Sequence, residues 1–185
     1  VMETGPLAIS LNYDHSCNLY CESCRENIQT LTKKEIDHRI RFQDELIKSR
    51  FFADVEVLTV SGAGEIFASR VFMDLFSKIK SQDFPKMKII LRTNGMLLTP
   101  RNWERIKNIH DSIGMISISV DAASPETYFK LRRGGNYEAL LENLTFLSKL
   151  KKERGFKVKL NYVVQNKNFR EMADFVRLAK RYNFD

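Results

Sequence analysis

The sequence predicts an α/β fold in which parallel strands alternate with helices and curve into a wide or incomplete barrel. Short strand-like and longer helical segments alternate from end to end, without an internal repeat or a low-complexity linker. The strands also alternate between apolar and polar residues, as in ISISVD at 116–121. Parallel strands are usually apolar on both faces, so the polar face is expected to line an open lumen. An open sheet with one solvated face is the alternative.

Five strand-helix pairs are expected in chain order. The strands are predicted at 7–14, 55–62, 87–93, 114–121 and 156–164. The first helix begins with a capping-box pattern, Thr32 with Glu35, and the third begins at Thr99-Pro100. The other helices are predicted around 69–81, near 137–152 after a cap pattern at Ser124-Pro125, and from about 168. We expect one domain over 1–185, truncated after its fifth βα unit, with the remainder of a longer protein following it.

Composition indicates one globular domain and no membrane segment. The 185 residues are 43% hydrophobic and 29% charged, and no run of eighteen apolar residues occurs. The first residues, VMETGP, lack the apolar segment of a secretion signal, so a reducing cytoplasmic location is predicted.

Charge is unevenly distributed along the chain. Residues 1–85 carry 10 Lys and Arg against 13 Asp and Glu, whereas residues 86–185 carry 20 against 10. A basic half can contact nucleic acid, but many of these charges fall at helical spacing, where a solvated helix face is the commoner explanation. Nucleic acid is therefore not the expected partner.

The three cysteines of the chain lie within CNLYCESC at 17–24. An odd number of thiols in a reducing compartment argues against a disulfide set, and zinc would need a fourth ligand. The histidines are His15, His38 and His110, of which His15 is too close to Cys17 for an easy tetrahedral site. Three thiolates can hold an iron-sulfur cubane while one iron stays open to another ligand, which is the functional interpretation.

Polar and glycine-rich segments follow the predicted strands at their carboxyl ends, where parallel barrels carry their chemistry. They are Ser61–Glu65 after the second strand, Thr93–Gly95 after the third, Ser119 and Asp121 on the fourth, and Asn161–Gln165 on the fifth. Each segment alone is weak evidence, because glycine-rich turns are common. Their shared position on one rim predicts a site beside the cysteines.

Over nearly its whole length the sequence resembles the radical S-adenosylmethionine (SAM) enzymes. CNLYCESC matches the family's CxxxCxxC motif after the first strand, and SGAGEIF resembles its Gly-Gly-Glu-Pro segment, with Ala63 and Ile66 as departures. TNG and SVDAASPETYFKLRRGGNYEALLENL resemble the branch that often carries a C-terminal cysteine-rich extension of the SPASM or twitch type. The resemblance implies an incomplete (β/α)6 TIM-like barrel.

The resemblance also implies cofactors and their ligands. Cys17, Cys21 and Cys24 would hold a [4Fe-4S] cluster, whose open iron binds SAM and cleaves it to a 5'-deoxyadenosyl radical for hydrogen abstraction. The residues expected to bind SAM are Gly62, Gly64, Glu65, Asn94, Ser119 and Arg132, with Arg133 as the alternative to Arg132.

Partners follow from the same resemblance. A flavodoxin or ferredoxin is expected as reductant, and a peptide or protein as substrate. The alternatives are an RNA- or small-molecule-modifying enzyme of the same family, or a non-catalytic metal-binding module on the same fold.

Overall fold

A computed structural model describes residues 5–60 and 63–185. One parallel sheet contains five strands in the order in which they occur in the chain. Within the described ranges the first and last strands do not pair with each other, so the sheet is an open partial barrel, as predicted. The strands are β1 (Ala8–Leu11), β2 (Val57–Val60), β3 (Lys88–Thr93), β4 (Ile113–Ser119) and β5 (Lys157–Asn161).

Helices lie between consecutive strands and after β5, and three of them begin at the caps predicted from Thr32, Thr99 and Ser124. The helices are α1 (Lys33–Lys48), α2 (Arg70–Lys78), α3 (Pro100–Glu104), α4 (Pro125–Leu131), α5 (Tyr137–Arg154) and α6 (Met172–Arg181). The capping box before α1 is complete, since the Thr32 side chain accepts from the Glu35 N–H and the Glu35 carboxylate accepts from the Thr32 N–H. The side chains of Thr99 and Ser124 cap α3 and α4 by accepting from the Asn102 and Thr127 N–H groups, without the reciprocal half of a capping box.

Three element ends differ from the prediction, each for a local reason. The first strand stops at Leu11, and Asp14 instead accepts hydrogen bonds from the Ser16 N–H at 2.8 Å and the Ser69 hydroxyl at 2.5 Å. The second helix ends at Lys78, where Ile79 turns to extended backbone with ψ 142°. The last helix begins at Met172, after a 3₁₀ turn at Phe169–Glu171.

The core lies between the sheet and the helices. Ile116, Ile118 and Val120 are fully buried there. Ser117 and Ser119 project from the opposite face of β4 and line cavities on the lumen side. This alternation positions polar groups inside the partial barrel. No helix among the described residues is long and apolar enough to cross a bilayer.

Candidate active site at the carboxyl ends of the strands

The three cysteines line one cavity of about 310 Å³, which we call the cysteine cavity. All three thiols are free of disulfides. They come from the loop between β1 and α1, which also supplies Leu19 and Arg25, and the rest of the cavity wall comes from other loops and strand ends. The other lining residues are Leu19, Arg25, Ala63, Gly64, Arg92, Thr93, Asn94, Ser119 and Arg132.

Backbone hydrogen bonds fix the cysteine loop at both of its ends. The Cys17 N–H donates to the Gln29 carbonyl at 2.9 Å, and the Cys24 N–H donates to the Cys21 carbonyl at 2.9 Å. The loop is also tied to the end of α4, since the Glu22 N–H donates to the Leu131 carbonyl at 3.1 Å. The thiols are therefore positioned by contacts to sequence-distant backbone as well as by the local turn.

Each thiol has one side chain beside it that donates an N–H to sulfur. Arg25 Nε and Nη2 both lie 3.4 Å from Cys24 Sγ, and Arg132 Nη1 lies 3.6 Å from Cys21 Sγ. Asn94 Nδ2 lies 3.9 Å from the third sulfur, that of Cys17. Two of the three donors are cations, a surrounding suited to thiolate ligands.

Arg25 was missed by the sequence analysis, although it directly follows Cys24. Its Nη1 donates to the His15 carbonyl at 2.8 Å, and its Nη2 contacts the Ala63 carbonyl. The guanidinium thus joins the cysteine loop to the segment after β2. In the sequence, only the neighbouring Cys24 could have indicated that Arg25 belongs to the site. The His15 and Ala63 carbonyls reach Arg25 only in the folded chain.

Arg132 lies in the wall of the cysteine cavity, whereas Arg133 does not. The Arg132 guanidinium is almost buried and pairs with Asp121 at 2.6 Å between Nη2 and Oδ2. Its Nε is buried without a hydrogen-bond partner among the described residues. Arg133 pairs with Glu22 at 3.5 Å and is 42% exposed. The geometry therefore favours Arg132 over its neighbour as the residue facing a ligand.

Glu65 is buried beneath the cavity and is not part of its wall. Its carboxylate accepts hydrogen bonds from Thr93 Oγ1 at 2.7 Å, from the Asn94 N–H at 2.6 Å and from the Phe67 N–H at 3.3 Å. Burial raises the pKa of the Glu65 carboxyl, against the lowering effect of these donors. The side chain thus holds the end of β3, a role that the sequence analysis did not foresee.

Gly64 lies where two backbone segments nearly touch. A Cβ built at this position would come within 2.3 Å of the Ser16 carbonyl oxygen, so only glycine fits without a shift. The Glu65 N–H donates to the same carbonyl at 2.8 Å. The close approach brings the segment after β2 against the cysteine loop.

The structure brings most of the predicted site residues together. Gly64, Asn94, Ser119 and Arg132 line the cysteine cavity with the three cysteines, while Glu65 supports it from below. Gly62 lies outside the described residues. Burial raises the pKa of the Cys17 thiol.

The chemistry of this wall fits the cluster that the family resemblance implies. Within the described ranges, no three His, Cys, Asp or Glu side chains are grouped around a position for one metal ion. The thiolates of a cubane each bind a different iron atom, so three cysteines spread over one cavity wall suit a cluster. The three N–H donors beside the sulfurs suit the same group.

A solved structure shares the fold. The crystal structure of Streptococcus suis SuiB bound to S-adenosylmethionine superposes with a TM-score of 0.65 and 17% identity, over 98% of this chain and 39% of the SuiB chain. At that identity the likeness concerns the fold alone.

Curated relatives extend the comparison to sequence. A GTP 3',8-cyclase of Alkaliphilus oremlandii is 28% identical over 172 residues, which is 88% of this chain and 49% of the relative. An AdoMet-dependent heme synthase of Methanosarcina barkeri is 27% identical over 186 residues, 97% of this chain and 48% of the relative. The chain thus spans about half the length of these relatives. The model of the Radical SAM superfamily matches residues 12–179, and the chain belongs to this family of enzymes, whose cofactors are a [4Fe-4S] cluster and SAM.

Proposed function

We propose that Cys17, Cys21 and Cys24 hold a [4Fe-4S] cluster at which SAM is cleaved reductively. The observation that carries this proposal is one cavity lined by three free thiols, each beside an N–H donor. When bound, the cluster supplies one electron to the SAM sulfonium, which releases methionine and a 5'-deoxyadenosyl radical that takes a hydrogen atom from the substrate.

The residues of this chain hold the thiolates and bind SAM. Arg25, Asn94 and Arg132 orient the sulfurs through their N–H groups. Arg132 is also the proposed partner of the SAM carboxylate, because its Nε has no described partner and planar guanidinium groups suit carboxylates. Gly62, Gly64 and Glu65 are proposed for the methionine amino end, Glu65 from its buried position beneath the wall, and Asn94 and Ser119 for the remainder of the cofactor.

The substrate and the reductant of this chain are proposals too. Enzymes of the family need an electron donor, for which we propose a flavodoxin or ferredoxin. The relatives are named for GTP cyclisation and heme synthesis, so their names lend no support to the peptide or protein substrate that the branch resemblance predicts. A small-molecule substrate is the alternative that these names favour.

Anaerobic reconstitution with iron and sulfide tests the proposal. The reduced protein should form 5'-deoxyadenosine from SAM, as measured by chromatography. Each of Cys17→Ala, Cys21→Ala and Cys24→Ala should lose most of its iron and all cleavage, because a second iron atom would lack a protein ligand. Ser23→Ala, an exposed position in the same loop, is the matched control and should keep both.

A single cysteine variant with normal cleavage would show the cluster assignment to be wrong. A wild-type protein that binds iron without cleaving SAM would instead support a non-catalytic metal-binding module on this fold.

A further inference from the structure

The charged residues of the sheet are all cations. Among the described strands, β3 and β5 carry Lys88, Arg92, Lys157 and Lys159, and no strand carries Asp or Glu. All four are exposed and alternate with buried Ile89, Leu91, Val158 and Leu160. The cations therefore share the lumen face of the sheet.

The strand register aligns two of these cations across β4. Arg92 is the Cα partner of Ser117, and Ser117 is the Cα partner of Lys159. With neighbouring strands about 4.8 Å apart, the backbones of Arg92 and Lys159 are roughly 10 Å apart, with a serine between them. Their long side chains can reach one ligand from both sides.

A second cavity of about 420 Å³ lies over this row, and we call it the lumen cavity. Its wall consists of Ile90, Arg92, Met115, Ser117, Ser119, Lys159 and Asn161. Arg92 and Ser119 also line the cysteine cavity, so the two cavities adjoin. A ligand in the lumen cavity would lie beside the place proposed for SAM.

The two cations of the lumen cavity lack carboxylate partners. Neither Arg92 nor Lys159 forms an ion pair within the part of the chain that the structure describes. By contrast, Arg132 on the adjoining rim is paired with Asp121. A concave surface that carries charge of one sign concentrates ligands of the opposite sign.

We infer that the lumen cavity binds a small substrate through a phosphate or carboxylate group held between Arg92 and Lys159. Ser117 lies between the two cations, and its Oγ accepts from the Asn161 amide at 2.6 Å, so neutral hydrogen-bonding groups lie beside both of them. A volume of about 420 Å³ is that of a small-molecule site. The role as a substrate site depends on the proposed SAM cleavage, whereas anion binding itself does not.

Titration calorimetry on the cluster-free chain at low salt tests anion binding, with pyrophosphate as the phosphate probe and citrate as the carboxylate probe. Arg92→Gln and Lys159→Gln should each weaken binding of the preferred probe about tenfold or more, because each removes a charge-assisted contact. Lys157→Gln is the matched control. It removes the same charge from the same face of β5 but from outside the cavity wall, and it should change affinity less than twofold.

The probes also distinguish the source of the anion. Tighter binding of pyrophosphate assigns a phosphorylated substrate, and tighter binding of citrate assigns a carboxylated one. Binding of neither, or an equal loss in Lys157→Gln, would overturn the inference. A glutamate-rich peptide that binds more tightly than both small anions would overturn the small-molecule assignment. Circular dichroism of each variant shows that it is folded.

A separate measurement on the reconstituted protein keeps this inference distinct from the proposed function. SAM should bind together with the preferred anion, and the anion should not block 5'-deoxyadenosine formation. If SAM displaced the anion, Arg92 would belong to the cofactor site and the inference would be wrong. If the anion bound but the protein never cleaved SAM, the proposed function and the substrate role would both fail, while the anion site would stand.

Discussion

Arg132 connects Asp121 to Cys21 through one guanidinium group. Its Nη2 lies 2.6 Å from Asp121 Oδ2, and its Nη1 lies 3.6 Å from Cys21 Sγ. The other Asp121 oxygen accepts from the Val163 N–H at 2.8 Å. Asp121 has the unusual φ of +60°, and the loop after β5 holds this backbone conformation through Val163 and through Asn168, whose Nδ2 donates to the Asp121 carbonyl at 2.9 Å. The carboxylate thus positions an arginine beside a cysteine 111 residues away.

Asp121→Asn should destabilise the fold and weaken SAM binding. The ion pair is nearly buried, with side chains 11% and 5% exposed, so the substitution leaves the Arg132 charge uncompensated. Breaking such a pair costs about 3 to 5 kcal/mol in the free energy of unfolding. Urea denaturation measures this loss, and titration with SAM measures the binding effect.

Glu126→Gln is the control for Asp121. It breaks an exposed, solvent-screened ion pair with Lys130 and should leave the free energy of unfolding nearly unchanged. Equal stability of the Asp121 and Glu126 variants would show that the buried pair does not position Arg132.

Arg132→Ala should weaken SAM binding about ten- to hundredfold, because one charge-assisted contact to a carboxylate is lost. The cluster should stay, since no cysteine is removed. Arg133→Ala is the matched control, because this neighbour pairs with Glu22 outside the cavity wall. SAM titration of the reconstituted variants measures both. If Arg133→Ala lost more SAM affinity than Arg132→Ala, Arg133 would be the partner of the SAM carboxylate.

Glu65→Ala should weaken SAM binding and also destabilise the chain. Thr93 Oγ1 and the Asn94 N–H would lose their acceptor. Each buried donor left unpaired should lower the free energy of unfolding by about 1 to 3 kcal/mol. Iron content, denaturation and SAM titration should be measured on the same sample. Unchanged SAM affinity in a folded variant would limit Glu65 to supporting the end of β3.

The arrangement of elements was predictable from the sequence because it depends on local patterns. Alternating residues such as Ile116 and Ser117 identified the strand faces, and Thr32 with Glu35 identified a helix start. The cap at Ser124 and the start of α5 near 137 were predicted, but α4 as a separate helix, and with it the break before α5, was not. The break depends on Gly134, with φ +84°, and on Gly135, whose Cβ would come within 2.7 Å of the Tyr128 ring. That second contact requires the three-dimensional packing.

The site was predictable to the extent that its residues belong to short motifs. The cysteines, Gly64 and Arg132 were identified, and the structure brings them to one cavity. The pairing of Asp121 with Arg132, and of Glu65 with the end of β3, was not predicted. These contacts join different βα units, and nothing in the local sequence around either partner specifies the other.

Glu171 should make stability depend on pH in the acidic range. Its carboxylate accepts from Ser124 Oγ at 2.6 Å, the Ala123 N–H at 2.7 Å and the Thr127 hydroxyl, and so joins the start of α6 to the start of α4. Burial opposes ionisation, but these hydrogen bonds outweigh it and lower the pKa of Glu171 below its ordinary 4.5. The resulting stabilisation is present above 4.5 and is lost as pH falls through the lowered pKa.

The free energy of unfolding of Glu171→Gln should therefore be lower than that of the wild type at neutral pH, by about 1 to 3 kcal/mol. The difference should shrink as pH falls below 4.5. Urea denaturation at several pH values measures it. Glu142→Gln, at an exposed position of α5, is the control. A difference that stayed constant with pH would contradict the role of the ionised carboxylate.

Gly64→Ala should displace the cysteine loop. The added Cβ would lie 2.3 Å from the Ser16 carbonyl oxygen, far inside van der Waals contact, so one of the two backbones must move. That carbonyl precedes Cys17 directly and accepts from the Glu65 N–H, so the shift should reach the cysteine cavity. We expect a loss of about 1 to 3 kcal/mol in unfolding free energy, together with less iron after reconstitution.

Gly155→Ala is the control that separates a loss of stability from a loss of iron. Gly155 has φ +76° and open space around it, so alanine there should cost about 1 kcal/mol through backbone strain alone. Gly155 is the residue at which α5 ends. The alanine variant should therefore be less stable but should keep its full iron content. Iron analysis and thermal denaturation of both variants make the comparison. If Gly64→Ala kept full iron and wild-type stability, the close approach at Ser16 would not constrain the cysteine loop.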